Sequence, residues 1–245
     1  MRYFIRLSYL GTKYHGWQYQ PNAMSVQEKL ETALSTALQT KTIIIGAGRT
    51  DTGVHAKNYI AHFDMDNTTF ENDILLLVYK LNSLLPKDIA IHEIYKVDKD
   101  AHARFDATKR TYNYIISSAK DPFNSNTSWL RLGDLDIEKM NKASELLLGY
   151  SDFTSFAKLH ADAKTNICDI MEAKWRKDDK LIIFEISADR FLRNMVRAIV
   201  GTMIDIGRGK LSLKDFETII ESKNRNNAGV SAAAEGLFLV KIDYP

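Results

Sequence analysis

The sequence predicts an α/β (α+β) chain of two ferredoxin-like βαββαβ lobes with antiparallel sheets and an active-site cleft between them. Three observations carry this. Apolar spacing switches between period 2 and period 3.6 in the order βαββαβ over the first part of the chain. The same order returns, with one helix added, over the remainder. A split βαβ order of this kind lays its helices on one face of an antiparallel sheet. The repeat is one of element order, with no self-similarity of sequence. The lobes are expected at 1–104 and 105–245, with no Gly/Pro-rich linker between them.

Residues 3–9 (YFIRLSY) alternate as a strand. Ser25 and Glu28 have capping-box spacing, and Val26, Leu30, Ala33, Leu34 and Ala37 follow at helical intervals. Strands fit 42–46 and 58–65, a helix 69–84 and a strand 88–97. In the second half ARFDATKRTYNYIISS reads as one long strand, followed by a helix at 136–148 and strands at 168–177 and 181–188. Helices at 190–206 and 212–222 and a strand at 236–243 complete the order. Residues 119–135 are the longest irregular stretch and are expected to flank the cleft.

With 45% hydrophobic and 26% charged residues over 245 positions, the chain can bury a sizeable core. Its one cysteine, Cys168, excludes an intrachain disulfide and a cysteine-only zinc site. Arg2 and Arg6 interrupt the first apolar stretch, and no apolar run approaches ~18 residues, so a cytoplasmic protein with no membrane span is expected. The net charge of +2 leaves any nucleic-acid contact to local clusters. No paired metal-ligand spacing is present, so neither a metal nor a cofactor is expected.

Residues 46–56 read GAGRTDTGVHA. Asp51 stands where a dinucleotide fingerprint needs its third glycine, and the Gly-Lys-Ser/Thr of a P-loop is missing. Asp51-Thr52-Gly53 spells the aspartic-peptidase triplet, but a peptidase needs two carboxylates sharing a proton, and a second triplet would have to come from another copy. Arg49 opposes such sharing, because a nearby cation favours the ionised acid. An ionised acid suits a nucleophile or an electrostatic anchor. The alternative is a turn aspartate bonded to its own backbone.

Three further stretches carry charge or aromatic rings. In ADRFLRNMVRAIVG, Arg190, Arg193 and Arg197 share a helix face, which could pair phosphates, send one arginine to a carboxylate, or be merely solvated. In ARFDATKRTYNYII, Arg104, Lys109 and Arg110 lie near Tyr112 and Tyr114, which point the same way on a strand. Such a mixture suits a splayed-out base and its phosphates, while cross-strand packing is the alternative for one of the two tyrosines. The loop GTKYHGWQYQ offers either a stacking platform or an aromatic clasp onto the sheet.

The stretches GRTDTGVHA, HARFDATKRTYNYI, DFTSFA and FLRNMVRAIVG resemble the motifs of the TruA family of bacterial tRNA pseudouridine synthases. YHGWQYQ, SVQEKLETAL, LNSLLPKDIAIHE and EGLFLVKIDYP extend the likeness, in order, through nearly the whole chain. The resemblance implies isomerisation of uridine to pseudouridine in the anticodon stem-loop of tRNA, at positions 38–40, by a homodimer without metal or cofactor. It implies Asp51 as catalytic nucleophile, Arg49 as the residue that flips the target nucleotide, Tyr112 as the ring that stacks on the uracil, and Arg197 as the partner of Asp51. Arg190, Arg193, Lys109 and Arg110 are the expected phosphate contacts. Leu10, Thr52 and Ala233 depart from the family's usual Asp, Ala and Pro. Two rival readings are a non-catalytic RNA-binding protein, which would not need Asp51 beside Arg49, and an aspartic peptidase.

Overall fold

The computed structural model describes residues 1–66, 70, 72–158 and 164–245. They form two compact units, Met1–Thr108 together with Leu239–Pro245, and Lys109–Phe238. The protein is mixed α/β with mostly antiparallel strand pairing. The terminal residues Leu239–Pro245, read from sequence as the close of the second lobe, group with the first unit.

In the first unit, β1 (Arg2–Tyr9), β3 (His55–Asp64) and β4 (Ile89–Lys96) are ordered β4-β1-β3, with β2 (Ile45–Gly46) antiparallel to β3. Residues from Leu239 on in β9 (Leu237–Asp243) run beside β3. The strand expected at 42–46 shrinks to two residues because helix side chains take its donors. Thr42 N–H bonds Ser35 Oγ at 2.9 Å and Ile44 N–H bonds Glu31 Oε1 at 3.1 Å.

Helix α1 (Val26–Leu38) begins where Ser25 Oγ accepts the Glu28 N–H. Its apolar stripe, Val26, Leu30, Leu34 and Leu38, is buried, each such side chain contributing on the order of 1.5–3 kcal/mol. Helix α2 (Ile74–Leu84) is capped by Asp73, and residues 67–69 and 71, near or within the helix expected at 69–84, lie outside the described residues. Leu77 and Leu81 of α2 join Ile5, Leu7 and Phe63 in the core.

The second unit is built on β5 (Lys109–Ser117), β7 (Ile170–Asp178) and β8 (Leu181–Ala188), ordered β5-β8-β7 and antiparallel. Helices α3 (Ile137–Leu147), α4 (Met195–Gly207) and α5 (Leu213–Glu221) complete it, α5 starting from a full capping box of Ser212 and Asp215. Trp175, Phe184, Phe153, Phe156 and Phe216 are fully buried here.

Three expectations are corrected in this unit. The long strand does not begin at 103: His102 N–H bonds Asp106 Oδ2 at 2.7 Å and Asp106 N–H bonds the His102 carbonyl at 3.1 Å, closing a turn, so β5 starts at Lys109. The stretch 119–135 is not wholly irregular, since β6 (Trp129–Leu130) pairs in parallel with β5. The helix expected at 190–206 begins only at Met195, because Asn194 takes a left-handed conformation with φ of 66°. Arg190 and Arg193 therefore precede the helix and share no helical face with Arg197.

Candidate active site

Asp51 lies in the connection from β2 to β3, half-buried, with Arg49 exposed two residues earlier and Thr50 buried between them. The connection is tied down almost residue by residue. Ala47 N–H bonds the Ile60 carbonyl at 2.9 Å, the Tyr59 hydroxyl donates to the Gly48 carbonyl, and Trp17 N–H reaches the Thr50 carbonyl at 3.3 Å. Thr50 Oγ1 and the Tyr9 hydroxyl are 3.0 Å apart, Val54 N–H bonds the Asp51 carbonyl at 3.2 Å, and Gly53 N–H bonds the Tyr14 carbonyl at 3.2 Å. Gly46 is needed for close approach, because a β-carbon there would sit 2.2 Å from the Tyr59 hydroxyl and 2.5 Å from the Trp17 ring.

Tyr14 and Trp17 of the first loop thus act as a clasp, while Tyr19 and His15 are exposed. Trp17 stacks on Tyr59 with centroids 4.1 Å apart, and Tyr14 is buried with its hydroxyl donating to Asp88 at 2.6 Å. Burial, then that hydrogen bond, pushes the Tyr14 phenol well above its ordinary value, so it stays protonated. Sequence reasoning singled out neither Tyr9 nor Tyr59 here. Both occupy ordinary inward strand positions, and nothing in the local pattern signals where their hydroxyls end. A cavity of about 530 Å³ in this unit is lined by Lys13, Tyr14, Met24, Lys29, Leu84 and Asp88 among others, and Asp51 is not part of it.

In the second unit the two tyrosines of β5 separate clearly. Tyr114 is fully buried and its hydroxyl donates to the Ala233 carbonyl at 2.7 Å, and burial holds its phenol far above the ordinary range. Tyr112 is half-buried, with its ring edge-on to Phe191 at 5.1 Å. Arg197, on the first turns of α4, donates from Nε to the Ala232 carbonyl at 2.7 Å, and Ala232 N–H returns a bond to the Arg197 carbonyl at 2.9 Å. Ala233, where the resembling family usually has Pro, has φ −59° and ψ 148°, a conformation proline itself adopts.

The expected phosphate contacts differ in setting. Arg190 donates to the carbonyls of Thr165 at 2.9 Å and Ile167 at 3.1 Å, holding that segment in place. Arg110 donates to the Asp189 carbonyl at 2.6 Å, and Lys109 is ion-paired with Glu172 at 3.2 Å. Arg193 is exposed. Cys168 is buried and its thiol is pushed up to about 12 by desolvation, which removes it as a nucleophile. Among the described residues no three His, Cys, Asp or Glu side chains come together as metal ligands, and no helix is long and apolar enough to cross a membrane.

The first unit thus presents a half-buried carboxylate on a pinned loop, two residues from an exposed guanidinium. The sequence comparisons are specific. A family model described as tRNA pseudouridine synthase matches residues 6–106 and 143–245. The chain is 56% identical to tRNA pseudouridine synthase A of Bacteroides fragilis, covering 100% of this chain and 96% of that protein. It is 41% identical to tRNA pseudouridine synthase A of Acetivibrio thermocellus, covering 97% of each, and 39% identical to that of Vibrio cholerae, covering 100% of this chain and 92% of that protein. The chain belongs to the tRNA pseudouridine synthase family, and with it to the isomerases.

Proposed function

We infer that the protein isomerises uridine to pseudouridine in the anticodon stem-loop of tRNA, at positions 38–40, with Asp51 as the one catalytic carboxylate. The observation that carries the reading is Asp51 itself, half-buried at the end of a loop fixed at Ala47, Gly48, Thr50 and Asp51, next to an exposed Arg49. The reaction breaks the C1′–N1 bond and joins C1′ to C5 of the same uracil. The C5 hydrogen leaves to solvent and N1 gains a proton. Positive charge builds at C1′ as the first bond breaks, and a fixed carboxylate stabilises or traps it. Uracil departs as a delocalised anion, so no second acid is required of the site.

Taking a base out of a stem costs a few kcal/mol, which Tyr112 offsets by stacking on the uracil while Arg49 holds the extruded nucleotide. Arg197 serves as the cation that keeps Asp51 ionised and oriented. Arg193, Arg190, Lys109 and Arg110 meet tRNA phosphates, the protein works as a homodimer in the cytoplasm, and no metal or cofactor takes part. These assignments rest on the family resemblance of the quoted motifs and on the residue settings described above.

The test is tritium release from tRNA transcripts labelled at C5 of uridine, using the wild-type protein and Asp51→Asn. Release into water by the wild type alone supports the reading. Equal release by both proteins removes Asp51 from its role, and no release despite tight tRNA binding makes the protein an RNA binder.

A further inference from the structure

Gly48 immediately precedes Arg49, and a β-carbon built on it would meet nothing within 4 Å. No neighbour occupies the space a side chain would fill there, and glycine has the widest backbone freedom of any residue. One phenol holds this residue on both its carbonyl and its N–H. The Tyr59 hydroxyl donates to the Gly48 carbonyl, and the Gly48 N–H points back at the same oxygen at 3.4 Å. That phenol has little room to move. Tyr59 is fully buried, its ring is stacked on Trp17 at 4.1 Å, and Tyr9 packs against it at 5.7 Å. On the other side of Arg49, Thr50 is held through its side chain by Tyr9 and through its carbonyl by Trp17 N–H. Arg49 is thus an exposed side chain whose two neighbouring residues are both tied to one aromatic cluster, Tyr9, Trp17 and Tyr59.

We propose that Tyr59 is a positioning residue for Arg49: its hydroxyl fixes the Gly48 peptide so that the guanidinium is presented where the target nucleotide is extruded. The proposal rests on the role given to Arg49 under Proposed function. A long side chain amplifies small rotations of its own backbone, and displacement of a reacting or positioning group by about 1 Å can cost ~100-fold in rate. The hydroxyl acts on Arg49 through the peptide and touches no reacting atom.

The experiment is a mutant cycle of Tyr59→Phe and Arg49→Ala, read as kcat and KM in the tritium-release assay with thermal melting alongside. Tyr59→Phe removes the oxygen and keeps the ring stacked on Trp17. The expected result is a loss of about 10-fold or more in kcat, with KM for tRNA near the wild-type value and no further loss when the change is made in the Arg49→Ala background. Tyr9→Phe, which releases Thr50 Oγ1 on the far side of Arg49, gives the same pattern and supplies a second reading if Tyr59→Phe melts early. Two results overturn the proposal with the role of Arg49 intact: Arg49→Ala impaired while Tyr59→Phe turns over normally, or losses that multiply in the double variant. Full activity of Arg49→Ala overturns the role of Arg49 and the proposal together, leaving Asp51 to its own assay.

Discussion

Gly16 and Thr50 are in backbone contact across two loops: a β-carbon on Gly16 would lie 2.3 Å from the Thr50 carbonyl oxygen and 3.2 Å from the Asp51 carbonyl carbon. Gly16 also has φ of +88°, which disfavours any side chain. Gly16→Ala therefore meets two penalties, backbone strain of about 1–2 kcal/mol and the displacement of the peptide that carries Asp51. Gly209 is the control, with φ of +70° and nothing within 4 Å of its β-carbon position. Gly209→Ala is expected to lower the melting temperature modestly and leave tritium release unchanged. Gly16→Ala is expected to melt earlier still and to lose at least 10-fold in kcat. Equal melting temperatures and equal turnover for the two variants would show that the contact does not matter.

Tyr112 and Tyr114 occupy alternate positions on β5, and the sequence left open which of them was structural. The buried hydroxyl of Tyr114 on the Ala233 carbonyl decides it. Tyr114→Phe leaves that carbonyl without its partner and is expected to destabilise the protein by about 1–3 kcal/mol, read from denaturant unfolding, with turnover retained in the folded fraction. Tyr112→Ala is expected to act mainly on turnover, reducing it by about 100-fold in the folded fraction. A Tyr112→Ala variant that unfolds early yet turns over normally would exchange the two roles.

The element order was legible in the sequence because period-2 and period-3.6 apolar spacing survives wherever one face is buried, as in β1 and α1. What escaped it was set by side-chain to backbone bonds between distant residues. Glu31 and Ser35 of α1 cap donors of 42–44 and shorten β2, and the His102–Asp106 turn delays β5. Asn194 in the left-handed region starts α4 late, although the residues before it continue a helical pattern of apolar residues and arginines. Asp51 and Arg49 in the first unit, and Tyr112 and Arg197 in the second, stood out by residue type and motif. Tyr9 and Tyr59 did not, since an inward tyrosine on a strand looks like core until its hydroxyl partner is seen.

His62 on β3 is 2% exposed, accepts the Ala103 N–H on Nδ1 at 3.1 Å, and packs against the His102 ring at 4.7 Å. Burial, helped by the charges of Arg2 and His102 and opposed by Asp64 and Asp106, lowers its pKa from 6.5 to about 4. Between those values the unfolded chain binds a proton that the folded protein refuses, so stability is lost as pH falls from about 6.5 towards 4. The loss is no more than about 3 kcal/mol at the lower end. His62→Asn keeps an acceptor for Ala103 but does not titrate. Melting curves from pH 7 to pH 4.5 are expected to fall less steeply for this variant than for the wild type. Parallel slopes would place the acid sensitivity elsewhere.

Phosphate contacts made by arginine and lysine release counterions, so tRNA affinity is expected to fall steeply between 50 and 200 mM salt. The individual contributions are separable because the basic residues sit differently. Arg193 is exposed, so Arg193→Ala is expected to weaken binding of every tRNA alike and reduce the salt slope by ~1. Arg190 donates to the Thr165 and Ile167 carbonyls, so Arg190→Ala is expected to lower the melting temperature as well as the affinity. Filter binding across the salt series and thermal melting of both variants make the check. An affinity indifferent to salt in the wild type would remove the phosphate role from the whole set. A normal slope with Arg193→Ala would move the contact from Arg193 to the other basic residues on β5 and before α4.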